Sequence, residues 1–434
     1  MVIFPTEHSF NREDQMTTPR RLDGVTRRQF IRRAMAMGVS LPTISAILAA
    51  CGGADFAAAE LVIGTPANPV TQPLFDDNRA IASGMPSEEG PLRVYNWAEY
   101  INPDTVVVAQ EALGVEIELT TFFNEEEALA KLLSGEVSYD VWFPTAQSVP
   151  KVVAGKLIQP LNQDYLTNLV NVWPQLADPF YDQGSQYTVP YVVYTTGIGW
   201  RTDLVDDADV LELENPWDVF WNPKYKGITG LYDDYRETLY MALMRNGVAN
   251  PAQATESEIG AATEDLIELV ETMAIRYTID GTYAGIPEGR FGLHEAWSGD
   301  VVASQGYFPE GGDPSVLRFA WPAAIGTGVK ASIANDCLAV LRGAAHPVLA
   351  HQFLDFMLNE GNALENFGWN GYQPPQNGID VDTLVADEWV PENVAEAIVR
   401  PEDFETARAV VPTQLVPEQE VLFLDAWARV QAGG

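Results

Sequence analysis

Cysteine is almost absent from this 434-residue chain: only Cys51 and Cys337 occur, and no Cys-x-x-Cys pair points to redox or zinc chemistry. Histidine is nearly as scarce. His8, His294, His346 and His351 make up the set, with no His-x-x-x-His spacing, so no metal site is expected. The Gly-x-Ser-x-Gly elbow and the phosphate-cradling Gly-Lys-Ser/Thr loop are missing too. Basic residues are the largest shortage, 25 Lys and Arg against 61 Asp and Glu. That balance argues against nucleic acid, whose phosphates need Lys and Arg, and against a polybasic membrane contact.

What is present begins with an address. Thr26-Arg27-Arg28-Gln29-Phe30-Ile31-Arg32 sets two adjacent arginines before an apolar pair. A weakly apolar, charge-free run follows from Ala34 and stops at Leu48-Ala49-Ala50-Cys51. A basic start, a short apolar stretch and small residues before a cleavage point form an export signal, and the paired arginines favour the twin-arginine route. The Leu-Ala-Ala-Cys ending looks like a bacterial lipobox, in which Cys51 is lipidated. The run is shorter than the roughly 20 apolar residues of a membrane span and contains Pro42. With Cys51 taken up by lipid, Cys337 has no partner, so the fold rests on its core.

Seven of the basic and four of the acidic residues lie in the first 50 positions, leaving residues 51–434 with a net charge near −39. A field of one sign concentrates ligands of the other, although acidity also serves solubility in saline surroundings. Residues 51–90, rich in Ala, Gly, Pro and Asp, read as a lipid-anchored tether that becomes ordered towards its end. The remaining length exceeds what one core usually serves, so two lobes are expected. Strands at Leu92–Trp97, Val115–Thr121 and Tyr139–Phe143 alternate with helices from Pro103 to Leu113 and from Asn124. That β-α-β-α-β rhythm predicts a parallel sheet, with a ligand site outside the carboxyl ends of the strands. Tyr187–Trp200 reads as a crossing segment, Asp336–Leu341 as a buried strand, and His346–Asn359 as a helix.

Aromatic and acidic side chains cluster at predicted strand ends. Trp97 and Tyr100 flank Glu99, Trp297 and Trp321 follow apolar runs, and Tyr372 lies in Gly371-Tyr372-Gln373-Pro374-Pro375. Aromatic faces attract ammonium groups and carboxylates neutralise them, a combination that suits a flexible diamine. Taken singly, each ring is as good a core residue as a ligand wall. Asp234 and Glu237 could share one ammonium, or form a capping box before Leu239. Asp336 is open between a buried counter-ion and a turn residue.

These residues stand in motifs that resemble the bacterial spermidine/putrescine-binding proteins, the solute receptors of polyamine ABC importers. The motifs are Tyr95-Asn96-Trp97-Ala98-Glu99-Tyr100, Val189-Pro190-Tyr191, Asn222-Pro223-Lys224-Tyr225-Lys226-Gly227, Asp233-Asp234-Tyr235-Arg236-Glu237, Asp336-Cys337-Leu338-Ala339 and Gly371-Tyr372. The resemblance runs from about Leu92 to the C-terminus. It implies an α/β fold of two lobes, each a mixed sheet flanked by helices, joined by a crossing-strand hinge and closing on ligand by rotation. Expected segments are a signal at 1–50, the tether at 51–90, a first lobe at 91–195, a second at 196–335, and a return to the first lobe with C-terminal helices at 336–434.

By the same resemblance, amines meet acids at Glu99, Asp234, Glu237 and Asp336, and methylenes lie among Trp97, Tyr100, Trp297 and Tyr372. Polar contacts fall on Thr145 and Gln414. The family often places Tyr where Gln147 stands and Trp where Ala334 stands, so the box is wider here. The expected partners are a polyamine, a membrane permease, and the membrane through the anchor at Cys51. The expected protein is an exported monomer that uses no cofactor and makes or breaks no bond. A same-fold receptor for another solute, a hydrolase with an acidic pair, and a protein-binding surface protein remain the alternatives.

Overall fold

The computed structural model describes residues 61–135 and 137–433. The signal and Cys51 lie outside them. The first strand, β1 (Leu92–Trp97), runs parallel to both β2 (Ile117–Phe122) and β3 (Val141–Trp142). Local chemistry sets the connections. Asn102 caps the helix Pro103–Leu113 by accepting from Asp104 N, and Gly114 ends it at φ 71°. Asn124 does the same for the helix Glu125–Ser134. Small polar caps and a left-handed glycine satisfy the backbone groups that helix ends leave free.

The long strand β4 (Thr188–Arg201) is buried along nearly its whole length and serves two neighbourhoods. Thr188–Thr195 pairs antiparallel with β9 (Ala331–Val340), while Thr196–Trp200 pairs antiparallel with β7 (Leu293–Trp297). The register with β9 slips between Pro190 and Val192, where proline has no N–H to give the ladder. On the second side, β5 (Thr229–Tyr232) runs parallel to β6 (Arg276–Thr278) and β7, and β8 (Leu317–Ala320) borders the end of β4. A short strand, β10 (Ala409–Val410), pairs with the start of β9. The order β2-β1-β3-β9-β4-β7-β5-β6 gives two half-sheets, one per lobe, joined through β4.

Two segments lie elsewhere than the sequence suggests. The stretch expected to be tether is docked from residue 61 onward. Buried Gln72 donates to the carbonyls of Val62 and Tyr181, Asn78 donates to Ile158 O, and the Glu88 carboxylate accepts from Val348 N and Leu349 N. Its prolines suit an extended strip, but its polar side chains find first-lobe partners that no local pattern reveals. Of the segment 336–434, the helix Pro347–Leu358 lies against β9 on the first lobe, whereas the helix Pro417–Gly433 packs on the second. Phe423 meets Tyr240 and Trp427 meets Tyr277, both edge to face. Among the described residues no helix is long and apolar enough to cross a membrane.

Candidate functional site

The carboxyl ends of β1, β3, β5, β6 and β7 all face one open cavity, and Tyr194 of β4 and Asp336 of β9 also line it. This is where the strand rhythm places a ligand. Trp97, Glu99, Tyr100, Thr145, Asp234, Glu237, Trp297, Asp336 and Tyr372 all line it. Gln414 does not. It is buried, and its amide N–H donates to Leu415 O at 2.8 Å. Its segment passes outside, with Val411 and Pro412 reaching only a smaller recess. Trp321 is core as well, its indole donating to Ser332 O.

The acids are held by hydroxyls and amides. Asp336 is 5 % exposed and accepts from Tyr100 OH at 2.7 Å and Tyr194 OH at 3.4 Å. Burial pushes its carboxyl up to about 7 despite both hydroxyls, and Glu125 and Glu237 nearby add to the rise. Asp234 is the N-cap of the helix Tyr235–Arg245, accepting from Arg236 N and Glu237 N at 2.8 and 3.1 Å. The box is only half made, because Glu237 turns away and accepts from Thr196 OH at 2.8 Å. One residue thus caps the helix and lines the cavity. Burial raises Asp234 to about 6, with Glu126 adding to it, and raises Glu237 to about 7, with Asp234 adding to it.

Aromatic rings frame these groups. Trp97 anchors its indole on Phe143 O at 3.0 Å. Trp297 stacks on Tyr232 at 3.9 Å. Glu99 sits at φ 55°, uncommon for a residue with a side chain, and accepts from Tyr307 OH at 3.1 Å. That bond joins the end of β1 in the first lobe to the second lobe across the cavity.

Sequence reasoning missed several wall residues. Asp300 accepts from Tyr372 OH at 2.7 Å and Tyr232 OH at 2.8 Å, and burial raises it to about 7. Trp297-Ser298-Gly299-Asp300 directly follows a strand end, so the same strand-end rule reaches it. Glu125, in the first turn of the helix Glu125–Ser134, accepts from Thr145 N, Thr145 OH and Ser148 OH at 3.0, 2.8 and 2.7 Å. Burial raises its carboxyl despite these donors. Tyr194, Tyr283 and Tyr307 also line the wall and carried no sequence signal. Gln147 and Ala334 border a side recess that shares Thr145, Gln147, Tyr194 and Glu237 with the main cavity. The one Lys or Arg among the described lining residues is Arg236. No cluster of three or more metal-ligating side chains occurs among the described residues.

Residues 108–393 match the model of the bacterial extracellular solute-binding proteins. The chain belongs to that family. Its members are solute-binding proteins of transporters, and among its relatives is the spermidine/putrescine-binding periplasmic protein of Salmonella typhimurium. That protein is 29 % identical over 301 residues, covering 68 % of this chain and 82 % of the relative. The putrescine/cadaverine-binding protein of Pseudomonas aeruginosa is 28 % identical over 283 residues, covering 63 % and 76 %. The fold is that of the spermidine/putrescine ABC transporter substrate-binding protein of Streptococcus pneumoniae, with a TM-score of 0.62 at 23 % identity over 79 % of this chain and 98 % of that one. The family's two-lobed α/β architecture accounts for the half-sheets on either side of β4.

Proposed function

We propose that the protein captures a polyamine such as spermidine or putrescine between its lobes and delivers it to the membrane permease of an ABC importer. The observation that carries this reading is the charge of the cavity wall. Glu99, Glu125, Glu126, Asp234, Glu237, Asp300 and Asp336 line it, against the single guanidinium of Arg236. A solute with a carboxylate would meet repulsion there. One with several ammonium groups would supply the counter-charges that buried carboxylates require. The rings of Trp97, Tyr100, Trp297 and Tyr372 offer faces for methylenes and cations.

In this reading amines bridge Asp234 and Glu237 of the second lobe to Glu99 of the first, with Asp336 beside the crossing strands. A ligand touching both lobes stabilises the closed state more than the open one. No bond is made or broken on the protein. Cys51 would hold the exported chain to the membrane by lipid, with the monomer as the working unit. Side-recess residues Gln147 and Ala334 favour one second reading, a receptor of the same fold for a bulkier cation.

Calorimetric titration with putrescine, spermidine, spermine, GABA and arginine tests the assignment, with tryptophan fluorescence following closure around Trp97 and Trp297. One-to-one binding of a polyamine is expected, and silence towards all three polyamines would overturn it. A preference for arginine, which carries a carboxylate, would count against both cation readings.

A further inference from the structure

Arg236 stands between Asp234 and Glu237 in sequence and lines the same cavity. A guanidinium turned onto those carboxyl groups would neutralise them in place of a ligand's ammonium. Its charge still draws both carboxyls down a little against the rise from burial, but its hydrogen bonds go elsewhere. Its Nη2 lies 3.3 Å from Glu420 Oε1, and its Nε donates to Tyr235 OH at 2.9 Å. Tyr235 OH in turn donates to the same Glu420 oxygen at 3.4 Å. Glu420 is 4 % exposed and sits in the C-terminal helix Pro417–Gly433. Lys151, from the helix Val149–Ala154 of the first lobe, approaches that oxygen at 3.4 Å. Three groups from two helices therefore converge on one carboxylate oxygen of a third helix, behind the cavity wall.

We infer that Glu420 is a positioning residue for solute capture: it withdraws Arg236 from Asp234 and Glu237 and so keeps that pair free for a cationic ligand. The binding half of this inference rests on the polyamine reading, while the positioning half does not. A salt bridge at this depth is costly to make and more costly to break from one side. Its use here is to direct a charge, and the choice of partner comes from the far end of the chain.

Glu420→Gln and the double variant Glu420→Gln/Arg236→Met test it, by spermidine calorimetry and by NMR titration of the ligand-free side-chain carboxyls. The single variant is expected to bind spermidine about tenfold or more weakly, because an unpaired guanidinium seeks the nearest acids. The titration of Asp234 and Glu237 should move to lower pH. Adding Arg236→Met should recover most of the lost affinity and move the titration back up. Equal loss in both variants with no downward titration shift would reduce Glu420 to a packing role and overturn the inference.

If the single variant does not fold, Arg236→Met with Glu420 intact decides. Removing a withdrawn guanidinium leaves the pair's titration within about half a pH unit of its starting point, whereas a rise of about one unit or more would mean that Arg236 already faced the pair. Absence of amine binding by the unaltered protein would refute the polyamine reading and leave the titration result to judge Glu420.

Discussion

Tyr100 and Asp336, 236 residues apart, meet through a 2.7 Å hydrogen bond from the phenol to Oδ2. The bond ties the end of β1 to the middle of β9, the strand that pairs with both β3 and β4. A buried carboxyl with two phenol donors and no cation needs a positive partner before it gives up its proton readily near neutrality. Asp336→Asn keeps the shape and the acceptor oxygen but removes the charge. It should weaken polyamine binding by at least about tenfold, the scale of a lost charge-assisted contact. Thermal stability should change little. Unchanged affinity in calorimetry would remove Asp336 from the ligand's partners.

The acids around the cavity also make capture pH-dependent. Burial raises Asp234 to about 6 and Glu237, Asp300 and Asp336 to about 7. Between the ordinary carboxylate range and those values, the empty folded protein holds more protons than the unfolded chain. Its stability from these groups is greatest at low pH and falls as pH rises towards about 7. An amine needs the ionised forms, so binding below that range releases protons. Affinity should rise about tenfold or more from pH 5 to 7 and flatten above. Melting curves with and without spermidine at pH 5 to 8 check this. A ligand-induced shift that is flat across the range would contradict it.

Gly299 seats Tyr372. A Cβ there would lie 2.4 Å from the tyrosine ring, and the ring's hydroxyl is one of the two that hold Asp300. Gly299→Ala should push the ring away, break that bond and cost about 1–3 kcal/mol of stability through overpacking. Polyamine affinity should fall with it, and Tyr372→Phe should lose affinity without the packing cost. Denaturant unfolding and calorimetry on the two variants separate the effects, and a stable, tightly binding Gly299→Ala protein would show that the ring has room to move.

Strands, caps and the crossing segment were legible because their causes are local. Pro103 and Asn124 announce helix starts, and apolar runs ending in aromatic and acidic residues announce strand ends that face a site. Asp300 was within reach of the same rule. Glu420 was not, because nothing near it in sequence points to Arg236, 184 residues away. Gln414 illustrates the opposite error: the resemblance puts a ligand contact there, but the path of its backbone turns it into the interior. The docking of residues 61–90 begins earlier than their composition suggests, because their partners, Tyr181, Ile158 and the helix Pro347–Leu358, lie far along the chain.

That N-terminal strip has a mechanical meaning. Its hydrogen bonds to the body fall on residues 156–187 and 342–352, including the Asp77 contacts with Lys156 and Arg342. Those partners belong to the first lobe. A load applied at the front of the chain is therefore borne by one half of the molecule, and the other half can swing without straining a single bond of the strap. With the proposed anchor at Cys51, mooring and solute exchange would be decoupled.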